Sequence, residues 1–252
     1  MKLFGGGTYL DAEDEAWQIE TWTWFLRQFG DLHHLKRTPL IAPTRDFFPP
    51  TDAVGEGRAQ HIFDCVKRLA GMQDWPCRLM PQPSRAELRV GELAALKPLS
   101  HPPAGTFGFD GDEVVITYEP SNLSDPLKLI ATLSHELAHY RLAALRCELP
   151  GGEEVHEYTT DLLCAYMGFA LFHANSAFHY SQHQDVMSHG WQSSRMGYLG
   201  ERGFTFALAV FLELKGQASD AAKPFLKNHL FSELGKARRH IVKRGLLSAV
   251  LS

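Results

Sequence analysis

Residues Leu129–Leu145 read LIATLSHELAHYRLAAL, and this stretch decides the fold. Its apolar residues recur at helical spacing, and Pro126 preceded by Ser124 or Asp125 is typical of the first turn of a helix. We therefore predict a helix from about Leu127 to Leu145, with one side in a core and the other lining a cleft. The apolar residues of the core side are Leu129, Ile130, Leu133, Leu137 and Tyr140.

The same helix carries an HExxH pattern from His135 to His139. Residues four apart lie on one face of a helix, so both imidazoles can reach one ion, and neutral imidazole is a good zinc ligand. Glu136 is turned about 100° from His135 around the helix axis, so it suits a role beside a metal-bound water rather than as a ligand. The alternative is a solvated histidine pair, because the chain has 13 histidines.

A third ligand is expected after the break Pro150-Gly151-Gly152, where residues 157–161 read EYTTD. A catalytic zinc ion needs a third protein ligand from elsewhere in the chain. Glu157 and Asp161 share a helix face because they are four residues apart. We expect Glu157 to bind the ion and Asp161 to accept a hydrogen bond from the far nitrogen of a ligand histidine. Asp161 as ligand in place of Glu157 is the alternative.

HExxH followed by ExxxD resembles the site of the gluzincin metallopeptidases, over about Leu127 to Phe172. In that group one helix carries HExxH, and a second carries a glutamate ligand with an aspartate four residues later. The 17 residues between His139 and Glu157 accommodate a turn and a second helix. The resemblance implies one Zn²⁺ ion, with a fourth position open for water. It also implies peptide-bond hydrolysis by a zinc-bound water that Glu136 activates.

The clearest strand signal is Gly105–Tyr118, where GTFGF and EVVITY flank Asp110-Gly111-Asp112 and predict a hairpin. Zincins keep a β-sheet beside the active-site helix, and its edge strand pairs with an extended peptide. The resemblance therefore implies Glu113–Tyr118 as that edge. The predicted fold class is α+β, mainly helical and zincin-like, with a small antiparallel sheet beside the HExxH helix and a second ligand-bearing helix.

Helices are predicted over most of the remaining chain, with a loop at Leu40–Gly57 and a short strand at Cys77–Met80. The 252 residues are predicted to form one zincin-like domain. Two lobes are the alternative, residues 1–123 and residues 124–252 with the metal site. The predicted helices are Asp11–Phe29, Glu56–Met72, Leu127–Leu145, Glu153–Ala174, Met196–Lys215 and Lys223–Lys243.

Composition and charge argue against several functions. The chain is 44% hydrophobic and 21% charged, an ordinary globular balance, and its net charge of −4 gives no field that attracts nucleic acid or an anionic membrane. The basic run Lys236–Arg244 is interpreted as a solvated helix face. No stretch approaches 18 uninterrupted apolar residues and the N-terminus has no signal-peptide core, so a cytoplasmic protein without a membrane partner is predicted. No CxxC pair occurs among Cys65, Cys77, Cys147 and Cys164.

Further side chains are candidates for roles around the ion. Six residues after the second ligand helix could stabilise an oxyanion, and a structural or solvent role is the alternative for each. Cys164 is predicted to pack in the core rather than to act as a reactive thiol. The six candidates are His179, Tyr180, His183, His189, Arg195 and Tyr198.

Three functions are compatible with these residues. The first is a zinc metallopeptidase that acts on a peptide or protein substrate, and the intact Glu136 favours it. The second is a regulatory or binding protein with a zincin fold and little general proteolysis, which a closed fourth coordination position would favour. The third is a zinc hydrolase with a non-peptide substrate, because such a site activates water and does not choose the substrate.

Overall fold

The structure is a computed structural model that describes residues 8–82, 104–145, 147–176 and 199–251. These residues are mainly helical with a small sheet, so the α+β prediction is confirmed. Among the described helices, none combines the length and the apolarity that a bilayer crossing needs. Strands β1 to β3 are Arg78–Pro81, Gly105–Asp110 and Glu113–Tyr118. Helices α1 to α9 are Ala12–Gln28, Leu32–Arg37, Gly55–Leu69, Pro126–Ala143, His156–Tyr166, 170–176, Glu201–Lys215, Asn228–Arg244 and Ser248–Leu251.

The chain divides by its contacts into two compact units. One consists of residues 1–42 together with 146–252, and the other of residues 43–145. These boundaries differ from those of the lobes 1–123 and 124–252, and the single zincin-like domain stays a prediction.

The unit of residues 43–145 contains the sheet, whose strand order is β1-β3-β2. Strands β2 and β3 pair antiparallel from Gly105↔Tyr118 to Asp110↔Glu113, and Gly111 in the turn between them has a φ of 63°. The hairpin is therefore confirmed. Strand β1 pairs with β3 in parallel, so the expectation of a purely antiparallel sheet is wrong. The long connection after β1 makes this possible, since a parallel pair cannot be joined by a tight turn.

Strand β3 lies in the centre of the sheet, so the expectation that Glu113–Tyr118 is the edge is wrong. Its residues Val114, Ile116 and Tyr118 are buried, which is what a central strand with a β-branched run requires. Strand β2 is an edge of the described sheet. Its two glycines and its exposed Phe109 are more typical of an edge, because glycine weakens a strand interior.

Helix α4 is the predicted HExxH helix and runs from Pro126 to Ala143. The Asp125 carboxylate caps it by accepting a hydrogen bond from the Lys128 N–H at 3.2 Å, and Pro126 occupies the first turn. Every residue from Leu129 to Ala138 is buried, including the histidine side of the helix. The histidine side of α4, which was predicted to line a cleft, is therefore more buried than expected.

The unit formed by residues 1–42 and 146–252 has an aromatic core. Trp22 and Phe25 of α1 are fully buried. The Tyr166 ring lies 5.9 Å from the Trp22 ring and 5.4 Å from the Phe25 ring, and Phe211 of α7 lies 6.4 Å from Trp22. The aromatic side of α1 thus packs in the core of this unit.

The predicted continuous helix Glu153–Ala174 is wrong, because α5 ends before Gly168 and α6 begins at residue 170. Gly168 has a φ of 95°, and its N–H donates to the Ala165 carbonyl at 3.0 Å. The Phe169 N–H donates to the Cys164 carbonyl at 2.9 Å. This pair of hydrogen bonds around a left-handed glycine is the Schellman motif that closes many helices.

Gly168 also approaches another chain segment closely. The Ile41 N–H donates to the Gly168 carbonyl at 3.0 Å, and a Cβ atom at Gly168 would collide with the Pro39 carbonyl oxygen. Gly168 therefore both ends its helix and packs against residues 39–41.

The last long helix begins at Asn228 rather than at Lys223. Residues 223–225 form a short 3-10 turn, and Leu226 is extended with a ψ of 143°. The Asn175 side chain holds this linker, because its amide donates to the Phe225 carbonyl at 2.7 Å and its oxygen accepts from the Lys227 N–H at 3.2 Å. Helix α7 likewise begins at Glu201, later than the predicted Met196.

Candidate metal centre

His135 and His139 lie next to each other on α4. Their Nε2 atoms are 3.0 Å apart, and the ring centroids are 4.6 Å apart at an interplanar angle of 84°. Two nitrogen ligands of a tetrahedral zinc ion, each about 2.0–2.1 Å from it, would lie roughly 3.3 Å from one another. The two imidazoles are therefore close to the spacing that a shared ion requires.

Glu157, in the first turn of α5, completes a group of three. The ligand atoms of His135, His139 and Glu157 all lie within 4.8 Å of one another. Among the residues that the structure describes, no other group of three His, Cys, Asp or Glu side chains is arranged to hold an ion. Two imidazole nitrogens and one carboxylate oxygen are a donor set of catalytic zinc sites, so these residues fit a zinc ion.

Glu136 lies on the side of α4 that faces strand β2. A Cβ atom added at Gly105 would lie 3.2 Å from the Glu136 Cγ and 2.6 Å from the Thr132 Cγ2. One turn further along α4, the Tyr140 ring stacks on Phe107 of β2 at 5.6 Å. The helix face formed by Thr132, Glu136 and Tyr140 thus runs along β2, beside the face that carries the histidines.

Asp161 is almost completely buried, with 1% of its surface exposed. Its Oδ2 accepts a hydrogen bond from the Leu199 N–H at 2.7 Å. Sequence reasoning missed this partner, because 38 positions separate the two residues and no local pattern connects them. The expected hydrogen bond from a ligand histidine to Asp161 stays a prediction.

Tyr140 follows the motif directly and has a role that the sequence did not indicate. It was expected on the core side of the helix, yet it is only half-buried. Its hydroxyl donates to the Pro76 carbonyl at 3.1 Å, and its ring meets Trp75 at 4.9 Å. Burial, with a smaller effect of the Cys77 charge, raises the pKa of Tyr140 above its ordinary value. The hydroxyl hydrogen bond and the ring contact together hold the Tyr140 side chain in place.

Of the other predicted candidates, the structure describes Cys164 but not the six oxyanion candidates. Cys164 is fully buried, as expected for a packing cysteine, and all four cysteines are free thiols. The six oxyanion candidates lie outside the described residues, and they are His179, Tyr180, His183, His189, Arg195 and Tyr198.

Comparison of the chain with the profiles of known protein families, with curated proteins and with solved structures gives no significant match.

Proposed function

We propose that this chain is a zinc-dependent metallopeptidase of gluzincin-like type, with His135, His139 and Glu157 as the zinc ligands. The observation that carries the proposal is the grouping of these three ligand atoms within 4.8 Å of one another. Glu136 supports it, because this carboxylate sits next to a ligand histidine on α4 and lies on a neighbouring helix face.

Each side chain has a distinct role in this proposal. A bound zinc ion would polarise the substrate carbonyl and lower the pKa of water. Glu136 acts as the general base that accepts a proton from the attacking water at a carboxylate oxygen and passes it to the leaving amine nitrogen. His135 and His139 would hold the ion through their adjacent Nε2 atoms and would then carry their protons on Nδ1.

Asp161 is proposed to orient one of the ligand histidines by accepting the proton on its Nδ1. The Leu199 N–H already holds the Asp161 Oδ2 at 2.7 Å. A carboxylate fixed on one oxygen keeps the other in a defined direction, which is what orienting an imidazole requires.

An extended peptide is the substrate that the surroundings of Glu136 favour. Strand β2 is an edge of the described sheet and passes next to Glu136 at Gly105. An edge strand offers main-chain donors and acceptors to a peptide in extended conformation. In this proposal the edge strand that pairs with the peptide is β2, not Glu113–Tyr118 as the sequence predicted.

The test is the metal content of protein purified without a metal-affinity tag, combined with cleavage of a peptide library. We expect about one zinc ion per wild-type chain, a sharp loss in Glu157→Ala and full retention in Glu154→Ala, an exposed neighbour in the preceding turn. Glu136→Gln should keep zinc and lose cleavage, because it keeps the side-chain shape and removes the base.

Two results would overturn the proposal. Wild-type protein that holds no zinc after zinc is added and the excess removed would eliminate the metal centre. Undiminished cleavage by Glu136→Gln would eliminate the general base. Zinc retained without any cleavage would favour the regulatory protein or the non-peptide hydrolase. A cytoplasmic location stays a prediction.

A further inference from the structure

Four aromatic side chains form a continuous row in the unit of residues 43–145. Trp75 meets Tyr140 at 4.9 Å, Tyr140 stacks on Phe107 at 5.6 Å, and Phe107 meets Phe109 at 5.5 Å. The first three side chains are half-buried, whereas Phe109 is 67% exposed. This aromatic row is thus anchored at Trp75 and reaches solvent at Phe109.

The middle of the aromatic row, formed by Tyr140 and Phe107, lies close to Glu136. On α4, Tyr140 follows Glu136 by four residues, a rise of about 6 Å. On β2, Phe107 follows Gly105 by two residues, about 7 Å along the strand, and Gly105 lies against Glu136. The helix and the strand therefore both lead from Glu136 to the aromatic row.

Next to this row, every second residue of β2 directs its main-chain N–H and C=O groups to the outer edge of the sheet. The Glu119 N–H donates to the Ala104 carbonyl at 2.9 Å, so these two residues form a hydrogen-bonded pair. Antiparallel pairs alternate, so the even-numbered residues of β2 exchange hydrogen bonds with β3. The N–H and C=O groups of Gly105, Phe107 and Phe109 consequently point away from β3, where an added strand would pair.

A substrate strand on this edge would place alternate side chains on the face of Gly105, Phe107 and Phe109. The substrate residue opposite Gly105 would lie beside Glu136, at the bond to be cleaved. The residue two positions along would lie opposite Phe107, with its Cβ about 4.5–5.5 Å away, and next to the exposed ring of Phe109.

We propose that the aromatic row selects a large apolar or aromatic side chain of the substrate, two residues from the cleaved bond and on one side of it only. This inference rests on the proposed function, because it uses Glu136 to locate the cleaved bond. Phe109 is the residue that determines the preference, since its ring is exposed and the other three rings are half-buried.

The test measures peptide binding to the Glu136→Gln protein loaded with zinc, which should bind without cleaving. Peptides of one length carry either Phe or Ser at a single position, and that position is moved along the peptide. We expect Phe at one position to improve affinity about 10-fold over Ser. Phe109→Ser in the same protein should abolish that preference. Val242→Ser is the matched control, because Val242 is also apolar and 65% exposed but lies on α8.

The outcomes separate this inference from the proposed function. Equal binding of the Phe and Ser peptides at every position, or a preference that survives Phe109→Ser, overturns the inference. Cleavage of the same peptides by the wild-type protein, measured in parallel, tests the proposed function independently of these binding data. A Phe109-dependent preference at the position two residues from the bond cleaved by the wild type supports both.

Discussion

Replacing Gly105 by Ala tests the close packing of β2 against α4, on which the position of Glu136 depends. The added methyl group would lie 2.6 Å from the Thr132 Cγ2, 2.8 Å from the Thr117 carbonyl oxygen and 3.2 Å from the Glu136 Cγ. Carbon atoms in favourable contact stand about 3.5–4.0 Å apart. The strand and the helix must therefore separate by roughly 1 Å to accept the methyl group.

The expected cost follows from the neighbours of the added methyl group. Overpacking of a close-packed interior costs about 1–3 kcal/mol. An alanine that replaces glycine where there is room instead stabilises by about 0.4–1 kcal/mol, because it restricts the unfolded chain. Gly108→Ala is the matched control, since it lies on the same strand and a Cβ atom there meets nothing within 4 Å. We expect Gly105→Ala to be less stable than Gly108→Ala by about 2 kcal/mol.

The assay is urea unfolding of wild type and both variants, followed by circular dichroism. Gly105→Ala should lower the free energy of unfolding less in a Thr132→Ser background than in the wild type, because serine lacks the Cγ2 atom. Gly105→Ala should also keep its zinc, since none of the three atoms nearest to the added methyl group belongs to His135 or His139. Its cleavage rate should fall by up to about 100-fold, the typical effect of misplacing a catalytic group by about 1 Å.

Two results would refute this reasoning. If Gly105→Ala is as stable as Gly108→Ala, β2 does not pass as close to α4 as described. If Gly105→Ala is destabilised but cleaves at the wild-type rate, the strand does not position Glu136.

Two further predictions concern α5. Asp161→Asn should lower zinc affinity by about 10- to 100-fold, measured by competition with a chromogenic chelator, and unchanged affinity would contradict the orienting role. Gly168→Ala should lower the free energy of unfolding by at least about 2 kcal/mol, because it combines a φ of 95° with a collision against the Pro39 carbonyl. Gly216→Ala has a φ of 63° but meets nothing within 4 Å, so it should cost only about 1 kcal/mol, and equal urea-unfolding losses would disprove the collision.

The features that the sequence predicted well are those whose causes are local. Helix α4 has its cap at Asp125, its first-turn proline and its histidine spacing within one continuous stretch. The hairpin is likewise marked by Gly111 between two runs of strand-forming residues. In both cases each contact that determines the element lies within a few residues, so the pattern carries the information.

The features that the sequence missed depend on distant contacts. A single glycine inside an apolar helical pattern is compatible with a continuous helix. Gly168 ends α5 in a place where the chain at Pro39 packs against it. The late start of α8 depends on Asn175, which binds the linker before it from 52 positions away. Neither partner could be identified without the fold.

The order of the strands has the largest consequence for the candidate site. With β3 at the edge, a substrate would have met the strand that carries Val114, Ile116 and Tyr118, whose side chains are already buried. With β2 at the edge, the substrate of the proposed function would meet Gly105 beside Glu136 and then the aromatic row, which ends at the exposed Phe109. HExxH identifies candidate ligands and a base, but it contains nothing about the strand that lies next to them. In the proposed function, substrate preference would therefore be encoded outside the motif, and β2 passes close enough to Glu136 to contribute to it.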